Sequence, residues 1–147
     1  MFKKILVPTD GSALSRQTAQ RAIQFAKEAG TRLVVLTVTP EYALPYYGEG
    51  GLVMPDSPEQ FAKKHAERAS HHLGEIAKWC GDVDVACDVM LASGKDPYVV
   101  IIETAEKTNC DLIFMASHGR RGLSAMLLGS ETHKVLTHSK IPVLVYR

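Results

Sequence analysis

The residues best suited to chemistry lie in two short loops at opposite ends of the chain. One is Val7-Pro8-Thr9-Asp10-Gly11-Ser12, and the other begins at Met115-Ala116-Ser117-His118-Gly119 and is completed by Gly129-Ser130. The second loop follows an apolar run typical of a buried strand and leads into a helical pattern. A Gly-containing loop of this kind offers backbone N–H groups and a helix dipole to an anion. The spacing therefore predicts a phosphate-binding loop, and the carboxylate and small residues of the first loop favour a nucleotide.

Helix capping is the alternative explanation for these residues. Gly129-Ser130 is also an ordinary helix start, and Asp10 could simply favour the positive end of the first helix. His118 could donate a hydrogen bond to a phosphate or lie exposed on its loop. Arg120 and Arg121 could reach a phosphate, although a basic pair on a loop is more often solvated.

The remaining histidines give no comparable signal. His65, His71 and His72 are expected on a solvated polar face of the second helix, with Glu67 and Glu75 close to His71. His133 and His138 have no evident carboxylate partner. The sequence also lacks a Walker A lysine and the context of a nucleophile elbow.

The elements that must position the two loops alternate between strand and helix patterns. Strands are predicted at 3–9, 32–38, 83–91, 111–116 and 141–146, and helices begin at Ser12, at Ser57-Pro58, at Asp96-Pro97 and near residue 130. Gly30 and Gly81 are expected to end the first two helices. This alternation predicts a single-domain α/β fold, an open five-stranded parallel sheet with helices on both faces. If the first and fourth strands are neighbours, their loops meet where the winding direction reverses, the usual ligand site of such sheets.

Composition narrows the classes of function. The 147 residues carry a formal net charge of +1, which gives no electrostatic case for nucleic acid or an anionic membrane surface. No apolar run is long enough to cross a bilayer, and the one at the N-terminus stops at Pro8. The three cysteines form no Cys-x-x-Cys pair, so neither a zinc site nor a disulfide framework is predicted. We expect reduced thiols and a cytoplasmic location.

One long irregular segment, roughly residues 40–57, follows the second strand. It is rich in Pro, Tyr and Gly, and a connection of this length is usually functional or mobile.

The whole chain resembles the universal stress protein family. The resemblance is carried by ILVPTDGS, the long loop after the second strand, DLIFMASHGRRG, LLGS and the closing IPVLVYR. The nucleotide-binding branch of that family has the pattern G-x2-G-x9-G-[S/T]. Gly119, Gly129 and Ser130 match it, and Ala116 stands where its first Gly is expected. The resemblance implies a Rossmann-like, adenine nucleotide α-hydrolase-like sheet with strand order 3-2-1-4-5.

The resemblance also implies a set of ligand-contacting residues. Pro8, Thr9 and Asp10 would lie against ribose and phosphates, with Asp10 near a magnesium ion held by the triphosphate rather than by a protein cage. Val38 would meet the adenine edge through its backbone, and Met115 and Ala116 would flank the sugar. Phosphates would be held by Gly119, Gly129, Ser130, Glu131 and Thr132.

Together with these residues, the resemblance implies a cytoplasmic module that binds ATP or another adenine nucleotide and acts in stress response or signalling. A homodimer through strand 141–146 and a protein partner of unknown identity are expected with it. A slow ATP hydrolase is one alternative, with Asp10 or His118 as its base. A dimeric interaction protein that binds no nucleotide is another, supported by the Ala at position 116, whose methyl is costly where the backbone needs a positive φ.

Overall fold

The chain folds around a parallel five-stranded sheet in this computed structural model, which describes residues 1–43, 56–120 and 128–147. The strands are β1 (Lys4–Pro8), β2 (Arg32–Thr39), β3 (Cys87–Ser93), β4 (Leu112–Ala116) and β5 (Val143–Tyr146). The helices are α1 (Ala13–Ala29), α2 (Pro58–Asp82), α3 (Pro97–Lys107) and α4 (Ser130–His138). The strand order is β3-β2-β1-β4-β5 and every pairing is parallel. The expected α/β fold and its 3-2-1-4-5 order are confirmed.

Local capping signals fix the start of the first two helices. The Ser12 hydroxyl accepts a hydrogen bond from the Ser15 amide at the start of α1, and Gly30 ends that helix with φ +65°. At α2, Ser57 and Gln60 cap each other reciprocally, and Pro58 occupies the first helical position. Both starts lie where the sequence predicts them.

The two faces of the sheet are buried by different helix pairs. Alternate strand residues such as Ile5, Val7 and Leu33 pack with α1 and α2. Their neighbours, such as Leu6 and Val34, pack with α3 and α4. Burying each Leu or Ile side chain contributes about 1.5–3 kcal/mol, so the near-continuous apolar strands hold helices on both sides.

The third strand begins four residues later than its alternating pattern predicts. The helix α2 continues past Gly81 to Asp82, and Asp84 then adopts φ +60° in a tight turn. Val83 and Val85 therefore belong to the connection, and β3 starts at Cys87. The strand lies at the sheet edge, as expected. Its apolar residues Val89 and Leu91 are exposed, however, so the strand does not have one buried apolar face and one solvent-exposed polar face.

The first and fourth strands are neighbours, so the winding direction reverses between them. Their following loops consequently meet at the carboxyl edge of the sheet, where the ligand site was expected. Most of the long segment 40–57 and part of the second loop, including Arg121, lie outside the described residues.

Candidate functional site

The loop after β1 is a tight turn built around Asp10. Its Oδ1 accepts a hydrogen bond from the Ser12 amide at 2.9 Å, and Gly11 between them has φ +77°. A side chain at Gly11 would be strained by this φ and would crowd His72. The turn thus places the Asp10 carboxylate directly before the N-terminus of α1, with the cap itself supplied by Ser12.

Asp10 also joins the two loops. Its Oδ2 accepts the Arg120 amide at 2.9 Å, and Gly119 approaches that oxygen so closely that a Cβ there would collide with it. Burial opposes ionisation of Asp10, but the hydrogen bonds from Ser12 and Arg120 outweigh it and hold its pKa below the ordinary value. The two loops predicted to share a site are in contact, and the carboxylate between them is ionised at neutral pH.

The N-terminus of α4 provides the anion-binding geometry. Gly129 is its N-cap and has no side chain to cap the helix, so the first N–H groups of α4 have no capping side chain among the described residues. The Gly129 amide donates to the Ser117 carbonyl at 2.6 Å. A Cβ on Gly129 would lie 3.0 Å from Cα of His118, so any side chain there would press on this backbone. Ser130, Glu131 and Thr132 form the first turn of the helix.

The Ala at position 116 is compatible with this arrangement. It lies within β4, its carbonyl accepts the Thr132 hydroxyl at 2.9 Å, and its φ is not among the positive values of the described chain. An added methyl costs little at such a backbone. The departure from the family pattern therefore introduces no strain.

The other predicted contacts lie at the same edge of the sheet. Pro8 ends β1, and Val38 is the penultimate residue of β2. Met115 is buried among side chains packed against α3 and α4. Thr9 is buried, and its hydroxyl donates to the Ser15 hydroxyl at 3.1 Å.

His72, a buried histidine of α2, is linked to the β1 loop by hydrogen bonds, a role that its sequence pattern did not indicate. His72 was expected on a solvated face, which is wrong: its side chain is buried, and its Nε2 lies 2.8 Å from the Thr37 hydroxyl oxygen. That hydroxyl also donates to the Thr9 carbonyl at 2.9 Å. The signal was the spacing of His72 from Ala69 and Ile76, three and four residues away on the buried face of α2.

The protonation of His72 is suppressed by its surroundings. Burial lowers the pKa of His72, and the positive charge of the Arg120 guanidinium lowers it further. The Arg68 carbonyl, Asp10 and Glu75 raise this pKa, but their combined effect is smaller. The neutral ring can donate through Nε2 to Thr37 while that hydroxyl donates to Thr9. His72 thus holds the β1 loop through a chain of hydrogen bonds.

The charged residues of the second loop are divided between two environments. A surface cleft of about 430 Å³ opens beside Gly11, and Arg120 lines it together with His72. His118 makes a local contact between its Nδ1 and the Ser117 hydroxyl at 3.1 Å.

In the described part of the chain no three His, Cys, Asp or Glu residues are grouped to hold a metal ion, and no helix there could span a membrane.

Glu131 has a structural role that its position in the second loop did not suggest. Its Oε2 accepts the Tyr98 amide at 2.9 Å in the first turn of α3. Asp96, expected to cap α3, occupies the N-cap position but makes no side-chain capping bond. The carboxylate that caps α3 therefore comes from α4.

Fold, strand order and loop geometry together define a doubly wound parallel α/β sheet whose candidate site lies at the switch point. The sequence model of the universal stress protein family matches residues 1–147, and the chain belongs to that family. Universal stress protein MJ0531 of Methanocaldococcus jannaschii is 33% identical over 150 aligned residues, covering all of this chain and 83% of the relative.

Solved structures share the whole fold. That of MJ0577, from the same archaeon, superposes with a TM-score of 0.81 at 28% identity, covering 99% of this chain and 95% of that one. A universal stress protein in complex with cAMP gives a TM-score of 0.72 at 21% identity, covering 99% and 97% of the two chains. A complex with dAMP from Archaeoglobus fulgidus gives 0.64 at 20% identity, covering 99% and 98%.

Proposed function

We propose that this universal stress protein binds an adenine nucleotide, with Mg²⁺-ATP as the ligand, between the loops after β1 and β4. The observation that carries the proposal is the junction of Asp10 with Gly119 and Arg120 beside the open N-terminus of α4. Family membership and the adenine nucleotides in related structures support it. The phosphates of the nucleotide would bring negative charge to this edge of the sheet, and Mg²⁺ would bring positive charge.

Each predicted residue has a role that fits its place. The amides of Ser130, Glu131 and Thr132 would hold phosphates at the positive end of the α4 dipole, and Gly119 and Gly129 would let the backbone approach those phosphates closely. Val38 would meet the base through its backbone, and Pro8, Thr9, Met115 and Ala116 would border the sugar. Asp10 would face the triphosphate-bound magnesium, since two like-charged anions without a cation would repel each other.

Nucleotide binding is tested by titration calorimetry of the purified chain with Mg²⁺-ATP. We expect saturable binding, and we expect Gly129→Val to abolish it because a side chain there presses on the His118 backbone. The matched control is Gly74→Val in α2, where a Cβ meets nothing within 4 Å. Circular dichroism of both variants checks the fold. Absence of heat at millimolar ATP in the unmodified chain, or normal binding by Gly129→Val, would contradict the proposal.

Hydrolysis is expected to be absent or very slow. Asp10 is a poor general base at neutral pH, because its pKa is depressed and both oxygens already accept hydrogen bonds. Phosphate release with Mg²⁺-ATP measures this directly. Turnover near ~10 s⁻¹, the typical enzyme value, that disappears in Asp10→Asn would instead establish the hydrolase alternative.

We further propose a cytoplasmic signalling role for a homodimer. Bound nucleotide would change the surface that this edge of the sheet presents to a protein partner. The dimer would form through the edge strand β5, whose side chains are all partly exposed.

A further inference from the structure

The surface cleft of about 430 Å³ beside Gly11 is lined mainly by charged side chains. It lies where the β1 loop and the start of the second loop face α2. Its charged lining residues are three arginines and two glutamates, namely Arg16, Arg68, Arg120, Glu67 and Glu75. Arginine suits phosphate because its planar guanidinium offers paired N–H donors. The composition of the cleft therefore favours an anionic ligand with several oxygen acceptors.

One of these arginines already has a partner. The Arg16 guanidinium binds Glu75 with both arms, with Nη1 2.6 Å from Oε2 and Nη2 3.4 Å from Oε1, and it lies over the Trp79 ring at 5.3 Å from the centroid. This pair compensates the charge of Glu75. Among the described residues, Arg68 and Arg120 form no ion pair. They are therefore the cations that a ligand in the cleft could bind.

Arg120 is fixed beside the proposed nucleotide site. Its amide donates to Asp10 Oδ2 at 2.9 Å, and its guanidinium reaches the β1 loop. Arg120 Nη2 lies 3.0 Å from the position that a Cβ on Gly11 would occupy. Because Gly11 has no side chain, the guanidinium has room next to the Asp10 turn and the N-terminus of α1, where the helix dipole is positive.

His72 forms the buried wall of the same corner. The residue is 8% exposed, and its Nδ1 lies 3.0 Å from the same Cβ position on Gly11. The opposite ring nitrogen, Nε2, is held by the Thr37 hydroxyl. The Arg120 guanidinium thus lies against a fixed, neutral ring before any ligand arrives, and such preorganisation lowers the entropic cost of binding.

We propose that this cleft binds the terminal phosphoryl group of the nucleotide, and that Arg120 and Arg68 thereby select nucleoside polyphosphates over monophosphates. The inference rests on the proposed nucleotide site and deepens it by naming the class of nucleotide. Asp10 joins the two regions, because it would face the triphosphate-bound magnesium while the next residue, Gly11, borders the cleft. A phosphate chain that starts at the N-terminus of α4 and passes Asp10 consequently ends beside Arg120.

Charge decides this selectivity. Each phosphoryl group added to the chain brings further anionic oxygen atoms towards Asp10, which is itself ionised, and their repulsion must be offset. Mg²⁺ supplies part of the positive charge, and the guanidinium groups of Arg120 and Arg68 supply the rest. A monophosphate is held at the start of α4 and makes no contact with the cleft, so its affinity does not depend on either arginine.

The test is titration calorimetry of the full chain with AMP, ADP and ATP, all at the same excess of Mg²⁺. We expect the affinity to rise with the number of phosphates. Arg120→Gln keeps the backbone amide that binds Asp10 but loses the guanidinium, so it should lower the affinity for ATP by about tenfold or more and leave that for AMP unchanged. Arg68→Gln should lower the ATP-to-AMP affinity ratio in the same direction. Arg120→Lys, which keeps the charge without the paired donors, should restore part of the ratio.

Arg21→Gln is the matched control, because it removes the same charge from the exposed surface of α1, outside the cleft. It should keep the ATP-to-AMP ratio of the unmodified chain. If Arg120→Gln weakens AMP and ATP equally, the side chain only supports the loop and the proposal is wrong; an unchanged ATP affinity would overturn it as well. Equal affinities of the unmodified chain for AMP and ATP would refute this subsite and leave the nucleotide site intact. If none of the three nucleotides binds, the nucleotide site itself is refuted, and this subsite with it.

Discussion

His72 shows how a single side chain couples α2 to the candidate ligand loop. Burial keeps its pKa below the ordinary value of 6.5. Because the unfolded chain takes up this proton first, the free energy of unfolding should fall as the pH drops below about 6.5. Above that pH the group has no effect, since the ring is neutral in both states.

The contribution of His72 can be isolated by substitution. His72→Gln, which preserves hydrogen-bonding capacity, should show a smaller loss of stability between about pH 7 and pH 5 than the unmodified chain. Urea denaturation across this range measures the difference. His71→Gln, an exposed neighbour, should retain the original pH dependence. Parallel pH profiles for His72→Gln and the unmodified chain would rule out a titrating role for His72.

Residue-scale features differ in how well the sequence predicts them. Gly129 and Asp10 were recognised because their spacing from the strand ends is itself a pattern. His72 was not, because its partner Thr37 is on another element and a histidine between charged residues has the pattern of a solvated face. The contact of Glu131 with Tyr98 likewise depends on packing between elements, which spacing along the chain does not contain.

At the scale of elements, the N-cap of α1 stabilises both the helix and the loop before it. The Ser12 hydroxyl accepts the Ser15 amide while the Ser12 amide donates to Asp10. Ser12→Ala should lower the free energy of unfolding by about 0.5–2 kcal/mol. Chemical denaturation measures the change, and Ser70→Ala, at an exposed position within α2, should be neutral or slightly stabilising. Equal stabilities for the two variants would show that the cap contributes nothing.

Element boundaries followed the sequence where a local signal marked them. Ser12, Gly30 and the Ser57-Pro58 pair each act through backbone groups a few residues away, so their effects are visible in the sequence. The start of β3 was displaced because Asp84 adopts a positive φ that its residue type permits but does not require. Alternating valines and aspartates are compatible with either a turn or a strand, and the tertiary structure decides between them.

At the scale of the whole molecule, the two sheet edges raise the question of assembly. On β5, Val143 packs towards α3 and α4, whereas Leu144 and Tyr146 pack towards α1 and α2. An apolar edge strand of this kind is normally covered or paired, and pairing with its twin across a two-fold axis is the simplest closed arrangement. The apolar edge strand therefore supports the proposed dimer through residues 141–146.

The proposed dimer is tested by light scattering at micromolar concentration. The unmodified chain should be dimeric, and Val143→Glu should yield monomers or insoluble protein because a carboxylate would be buried at the interface. His71→Glu, on the exposed surface of α2, should remain dimeric. A monomeric unmodified chain would exclude this interface.

The carboxylate of Glu131 links the first turns of α3 and α4, the two helices on one face of the sheet. It belongs to the first turn of α4 but holds the first turn of α3 through the Tyr98 amide. Fraying of either helix end breaks this bond, so we expect the local opening of the two helix ends to be coupled. A ligand that immobilises the start of α4 must slow amide exchange at the start of α3. Binding equilibria are coupled reciprocally. A protein that binds and immobilises the start of α3 would therefore raise the affinity of α4 for such a ligand by the factor by which the ligand raises the affinity for that protein.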